Sequence, residues 1–363
     1  MYPFTEGSFA VKNGWYVAAF THELGRELLP RTILNEPVVL YRKEDGTAVA
    51  VGGRCPHRHF PLGASCLKSD TIVCGYHGIA FDADGQCVNI PSQTHTPKTY
   101  RIPTYPLVEH GIWAWIWMGD PEKADPALLP DLTEIGAEGE GIHLKPMYVE
   151  HVNGRYQLLN DNLLDLSHIA VLHGTSIGTM DSASVPEEYE RRPGYVGSKR
   201  VMRNVSAPEV YRAVGVDVET IDRTSGMSFY LPGFHAGIDE STYPAGHTRE
   251  GEYIAWSRIF HGITPETYHT AHYFFALAGT DPQAVAFMED YLKPVVGEDK
   301  FATEEIEKML RIIGENPSEL LIKSDRNAVE GRRALQAMID AERDLHAPVP
   351  QATLHDKDMA SLD

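Results

Sequence analysis

Cysteine is scarce in this chain: four residues among 363, at positions 55, 66, 74 and 87. A plant-type iron–sulfur cluster takes four thiolates. If any of these cysteines serves elsewhere, the chain has no ferredoxin module of its own. Spacing dictates no pairing for Cys66 and Cys87, which read as reduced, partly buried thiols. A strand–G-x-G-x-x-G–helix unit is also missing, and with it the usual dinucleotide fingerprint. No apolar run approaches the roughly 18–20 residues of a membrane span. The opening MYPFTEGSFAVKNGW lacks the basic start and apolar core of a secretory leader, so the cytoplasm is the expected compartment. Basic residues are short as well, 32 Lys and Arg against 51 Asp and Glu, for a net charge of −19. That charge repels phosphate backbones and anionic lipid, so neither nucleic acid nor a membrane is an expected partner. Plain solubility accounts for most of it.

What the chain does have is two short loops, Cys55-Pro56-His57 and Cys74-Gly75-Tyr76-His77, with 16 residues between His57 and Cys74. Each loop offers one thiolate and one imidazole. This is the donor set of a Rieske-type [2Fe–2S] cluster, in which one iron takes both cysteines and the other both histidines. Gly75 and Gly78 permit tight turns that bring amide N–H groups toward the cluster sulfurs. A Cys₂His₂ zinc site is the competing assignment. Zinc knuckles pair like ligands about two to four residues apart, whereas each loop here pairs a cysteine with a histidine. With Cys55 and Cys74 committed to the cluster, electrons must arrive from a separate reductase or ferredoxin.

The length exceeds what one hydrophobic core usually serves, so two domains are expected. From Trp15 to about Met118, short runs separated by turn residues read as a small antiparallel β domain. The Pro- and charge-rich stretch from Gly119 to Pro130 suits a linker. Beyond it, residues 157–173 have helical spacing. Strand-like runs follow between about Tyr195 and Ala278, interrupted by a Gly/Pro-rich loop near Leu231–Gly251. Asp281-Pro282 opens a helix that Pro294 is expected to stop. A further helix near Asp299 carries Ala302, Ile306, Met309 and Ile313 on one face, and a third covers about residues 328–342. No internal repeat is present. Strands followed by helices predict an α+β fold, with one domain over residues 1–120 and a second over 121–363.

The second informative stretch runs from Asp161 to His173. Two histidines and a carboxylate on one Fe(II) leave adjacent positions open for oxygen and substrate. His168 and His173 lie about 140° apart on an ideal helix, so they converge only if the helix ends or distorts between them, for instance through a π-type turn. A pair of core histidines is the plainer alternative. Asp165, three residues before His168, can accept a hydrogen bond from that imidazole.

At these residues the chain resembles the Rieske non-haem iron oxygenases. Within them it is most similar to the oxygenase components of aromatic O-demethylases, the vanillate and dicamba monooxygenases. The matching stretches are Asn13–Ala19, Cys55–Arg58 with Pro61-Leu62, Cys74–Gly78, Trp115–Gly119, Asn162–His168 with His173, and Thr264–Thr267. The resemblance implies a Rieske [2Fe–2S] domain over 1–120, holding its cluster through Cys55, His57, Cys74 and His77. It implies a helix-grip, START-like catalytic domain over 121–363, with mononuclear Fe(II) on His168, His173 and a third ligand that maps onto Asp299. Glu298 and Asp290 remain alternatives for that ligand, and Asp299 has the plainer role of a helix N-cap open to it. Asp165 and Asn162 are the candidate catalytic residues. A ring-shaped homotrimer is implied, in which Asp165 bridges His168 to the partner subunit's His77. His261 falls where relatives place a polar pocket residue, although a surface strand histidine fits the sequence equally well.

The implied activity is O₂-dependent hydroxylation of the methyl group of a methoxylated aromatic acid. The product is a hemiacetal that collapses to a phenol and formaldehyde. Ring dihydroxylation, or hydroxylation of another aryl or alicyclic carbon, would use the same metals. The non-enzymatic alternative is a Rieske electron carrier fused to a ligand-binding domain.

Overall fold

The computed structural model describes residues 9–314 and 317–345. The first eight residues, part of the stretch read for a leader, lie outside them. Among the described residues the strands form four antiparallel sheets. Three are small and belong to the N-terminal third. One pairs Trp15–Phe20, Trp113–Trp117 and Leu107–His110; the second orders Leu29–Ile33, Glu36–Arg42, Ala48–Gly52 and Thr104–Tyr105. The third, Cys66–Lys68, Thr71–Val73, Ala80–Phe81 and Cys87–Asn89, leads into and out of the second Cys/His loop.

Trp15–Phe20 and Trp113–Trp117 are buried along their whole length. Successive side chains of a strand point to opposite faces, and here both faces are covered. Tyr16, Ala18, Ala114 and Ile116 join the main core. Trp15, Val17, Trp113, Trp115 and Trp117 enter a second core with Phe234, Phe260 and Phe274 from the C-terminal half.

The C-terminal half is built on one seven-stranded antiparallel sheet, ordered His143–Val152, Thr270–Gly279, Tyr253–Thr267, Phe234–Thr242, Thr220–Tyr230, Tyr195–Ser206 and Glu188–Arg192. Phe234–Thr242 occupies the stretch expected to be a loop. Its glycine is a packing feature: a Cβ at Gly237 would lie 3.2 Å from the Met227 side chain, a use of strand glycine where neighbours approach closely.

The helix Pro282–Ile313 packs against His143–Val152 and Thr270–Gly279. Asp281 caps it, its carboxylate accepting from the Gln283 and Ala284 N–H groups. Pro294 does not stop it. A mid-helix proline costs about 3 kcal/mol, but the helix is anchored on both sides, by buried Val285, Leu292, Val295 and Val296 and then by Asp299, Thr303, Glu307 and Leu310. The face expected to be buried is therefore the wrong one, since Ile306, Met309 and Ile313 are exposed. The last helix spans Arg326–Leu345. Among the described residues no helix is long and apolar enough to cross a membrane. Cys87 is buried, whereas Cys66 is exposed.

Candidate metal centres and their cavity

The stretch 157–173 is a helix only as far as Leu164, the end of Tyr156–Leu164. Asp165 leaves helical geometry (φ −116°, ψ 87°) and starts a 3₁₀ turn, Leu166–Ala170, its carboxylate accepting from the Ser167 N–H at 2.9 Å. The helix thus ends ahead of the histidines, one of the two ways the five-residue spacing allowed, through a 3₁₀ turn and not a π-type one, and both histidines face one point. His168 Nε2 lies 3.5 Å and His173 Nε2 3.0 Å from Asp299 Oδ1. One donor atom from each of the three residues falls within 4.8 Å of the others. Asp299 comes from the middle of the long helix, not from its N-cap.

Each imidazole is held by its other nitrogen, as metal-binding histidines are. His168 Nδ1 donates to the Asp165 carbonyl at 2.6 Å, and His173 Nδ1 donates to Glu298 Oε2 at 2.6 Å. Asn162 Nδ2 donates to Asp299 Oδ1 at 3.0 Å. Burial pushes the His168 imidazole below its ordinary pKa against the pull of Asp299. At His173 burial acts in the same direction, but Asp299 and Glu298 outweigh it and raise the pKa. Two imidazoles and a carboxylate with their Nε2 and Oδ1 atoms converging fit a divalent iron. Asp290 is exposed, and Glu298 faces the far nitrogen of His173. The Asp165 carboxylate does not touch His168 within this chain; it takes the Ser167 N–H and, at 3.0 Å, the Ser324 hydroxyl.

The two Cys/His loops are built alike. In the first, the Cys55 N–H donates to the Phe60 carbonyl and the His59 N–H to the Cys55 carbonyl, at 2.9 Å each. In the second, the Cys74 N–H donates to Ile79 and the Gly78 N–H to Cys74, at 2.8 and 3.0 Å. The fifth residue of each loop, His59 and Gly78, takes a positive φ (59° and 72°), which glycine adopts without strain. Cys55 and Cys74 are buried at 1% and 2% exposure and form no disulfide. Burial, and Cys74 beside it, push the Cys55 thiol up. The His57 and His77 rings are 4.6 Å apart and exposed. Buried sulfurs with imidazoles facing outward fit a Rieske cluster.

A cavity of about 100 Å³ opens beside His168, His173 and Asp299, the scale of a single aromatic ring. Its wall is mostly aliphatic, with Phe275, His261, Ser225, Arg223 and Asp239. His261 is buried at 6% exposure, so it is no surface histidine, and its Nδ1 lies 2.7 Å from the Tyr273 hydroxyl. The sequence reading missed Glu298 as the anchor of His173, and it missed the Arg223–Asp239 pair. For Arg223 a signal was present: it falls in phase with Ile221, Met227 and Phe229, the buried positions of its strand.

Such a fold, with these two donor sets, defines an iron-dependent oxygenase component. Residues 14–106 match the Rieske [2Fe-2S] domain, and residues 152–341 match the vanillate O-demethylase oxygenase C-terminal domain. The chain belongs to the Rieske oxygenases that carry this second domain. It is 34% identical to the iron–sulfur subunit of the toluene-4-sulfonate monooxygenase system of Comamonas testosteroni, over 93% of this chain and 99% of that one. The vanillate O-demethylase oxygenase subunit of Pseudomonas sp. strain HR199 is 32% identical, over 92% and 96%. The oxygenase component of dicamba O-demethylase from Stenotrophomonas maltophilia is 31% identical, over 92% and 98%. The crystal structure of dicamba monooxygenase bound to dicamba matches with a TM-score of 0.81 and 29% identity, over 92% of this chain and 98% of that one. The protein is thus an oxidoreductase, with a Rieske [2Fe–2S] cluster and a mononuclear iron as its cofactors.

Proposed function

We propose that the protein is the terminal oxygenase of a multicomponent monooxygenase that removes the methyl group of an aromatic ether. The observation that carries this is the convergence of His168, His173 and Asp299 on a ring-sized, mostly aliphatic cavity. An electron carrier with a ligand-binding domain has no need of three metal donors there. Iron held by these residues would activate O₂. The chain's own part is to orient the donors through Glu298, Asn162 and the Asp165 carbonyl, and to keep the ring in a dry wall of Leu163, Ile169, Ile259 and Phe275. Overall, the ether, O₂, two electrons and two protons give a phenol, formaldehyde and water. The electrons are supplied by a reductase, directly or through a ferredoxin. The first domain is proposed to end near residue 120 and to hold the cluster on Cys55, His57, Cys74 and His77.

Head-to-tail association into a homotrimer is part of the proposal. Its support is a pair of exposed surfaces. His57, His77 and Tyr76, the last 60% exposed, leave the edge of the cluster loops bare. Leu320, Leu321 and Ile322 are exposed beside Ser324, the residue bonded to Asp165. Two different surfaces that join in a closed ring make a heterologous interface.

A second reading, hydroxylation of an aryl methyl group, is favoured by the identity to the toluene-4-sulfonate system and by a wall with few polar groups. The test is turnover of the reconstituted system with matched methoxy- and methylarenes under O₂. Formaldehyde with the phenol is expected from the ethers. A benzylic alcohol from the methylarenes, with the ethers untouched, would favour the second reading, and a cis-diol would refute both.

A further inference from the structure

Apart from the metal donors, three side chains bring ionisable groups to the cavity wall: Arg223, Asp239 and His261. Arg223 is 6% exposed. Its Nε and Nη2 donate to the two carboxylate oxygens of Asp239 at 2.8 and 2.7 Å, and its Nη1 donates to the Ile177 carbonyl at 3.1 Å. The planar fork that would clamp a substrate carboxylate or sulfonate is already closed on a carboxylate of the protein. The pair as a whole is neutral. Burial pushes the His261 imidazole down to about 4, so at neutral pH it too carries no charge. With Nδ1 taken by Tyr273, its Nε2 is left to make one hydrogen bond to a bound molecule, with no counter-charge for an anion.

Arg223 is the one arginine or lysine among the residues lining this wall, and Asp239 already meets its charge. An anionic ring would add a buried charge without a counter-charge, the costly case. The net charge of −19 also repels anions on approach.

We infer that the ring taken up by this cavity is uncharged, an arene with no carboxylate or sulfonate on the part that enters, and that Asp239 sets this preference by closing the fork of Arg223. This departs from the methoxylated acid expected on resemblance. It rests on the cavity being the oxygenation site proposed above.

The test uses two matched pairs, 4-hydroxy-3-methoxybenzoate and 3-methoxybenzoate, each against its methyl ester. Binding to the metal-loaded protein is measured by calorimetry without O₂. Turnover is measured separately as formaldehyde, with reductase and NADH. The esters are expected to bind at least about tenfold more tightly than the acids. Asp239→Asn keeps the shape but frees the Arg223 charge, and should move the ester-to-acid ratio toward the acid by about tenfold. Damage of a merely structural kind would weaken acid and ester alike. Acids bound as tightly as esters, neither form bound in either pair, or an unchanged ratio in a folded Asp239→Asn protein would each overturn the inference. The wild-type ratio decides even where the variant does not fold. Tight ester binding without formaldehyde leaves the charge preference standing and removes the O-demethylation reading instead.

Discussion

At the scale of single residues, the proposed mononuclear site depends on which nitrogen of each histidine is free. Nδ1 of His168 and of His173 is tied to an oxygen of the protein, so Nε2 of both is left toward Asp299. Replacing His168 or Asp299 by alanine should lower the iron content by one per chain and abolish oxygenation, with the visible absorption of the cluster intact. Metal analysis beside the optical spectrum checks this; loss of cluster colour would mean the two sites are not separate. Glu298→Gln should keep the site but weaken iron binding by about 10–100-fold, since an amide orients the His173 Nδ1–H without the charge that strengthens the bond. Iron retained by Glu298→Gln but lost by Asp299→Ala also settles which carboxylate is the ligand. The sequence put the histidines forward as candidates because they sit in one short motif. It put Asp299 forward only through resemblance, because more than a hundred residues separate it from them. Glu298 acts through a partner 125 residues away, and its neighbours in the chain carry no trace of that pairing; the strand phase of Arg223 shows its burial but not its partner.

At the scale of elements, the long helix shows where periodicity misleads. Apolar residues at helical spacing suggest a buried face, yet Asp299, Thr303 and Glu307 point inward while Ile306, Met309 and Ile313 face out. Inward carboxylates are tolerable because each has a partner. Glu307, 1% exposed, accepts from Arg155 Nε at 2.6 Å and from Arg155 Nη2 at 3.0 Å. His269 Nδ1 and Arg311 Nε lie 2.7 and 3.1 Å from its Oε1, the oxygen that Arg155 Nη2 also reaches. Burial alone would raise the Glu307 pKa, but these partners outweigh it and hold it at about 2. A carboxylate with a depressed folded pKa stabilises above its unfolded value, about 4.3, and loses that contribution as the pH falls toward about 2. Glu307→Gln removes the buried carboxylate to which Arg155 Nε and Nη2 donate and should cost about 3–5 kcal/mol at neutral pH. The gap between wild type and variant should narrow as the pH drops below about 4.3. Denaturant midpoints measured over that range provide the check, and a gap that stays constant with pH would mean the ion pair is not its source. The strand pattern of the N-terminal third was easier to read, because alternating tryptophans and Asp-Gly turns are local signals.

At the scale of the whole molecule, the two halves share a core. Trp113 packs edge-on against Phe234 and Phe260, with ring centroids 5.2 and 5.3 Å apart, and the Thr264 hydroxyl donates to the Val17 carbonyl at 2.6 Å. The cluster loops are thus carried on a body packed against the seven-stranded sheet, not on a swinging arm. If electrons are to leave by the exposed His57 and His77, their destination is set by what that edge meets. In the proposed ring it meets the neighbour's Asp165 surface, and the working unit joins the cluster of one chain to the iron of the next. Asp165→Asn should then keep both metals and slow electron delivery, because the amide loses the charge offered to the imidazole arriving from the neighbouring chain, while the backbone carbonyl still holds His168. Mixing His77→Ala chains, which lack the cluster, with His168→Ala chains, which lack the iron, tests the geometry directly. Neither variant alone should turn over. In a closed ring formed at equal ratio, about one quarter of the junctions pair an intact cluster with an intact iron, so activity should return to about that share of wild type. Mixed assemblies verified by mass that recover nothing would mean that electrons pass within one chain. The carboxylate of Asp165 would then serve only to start the 3₁₀ turn that aims His168.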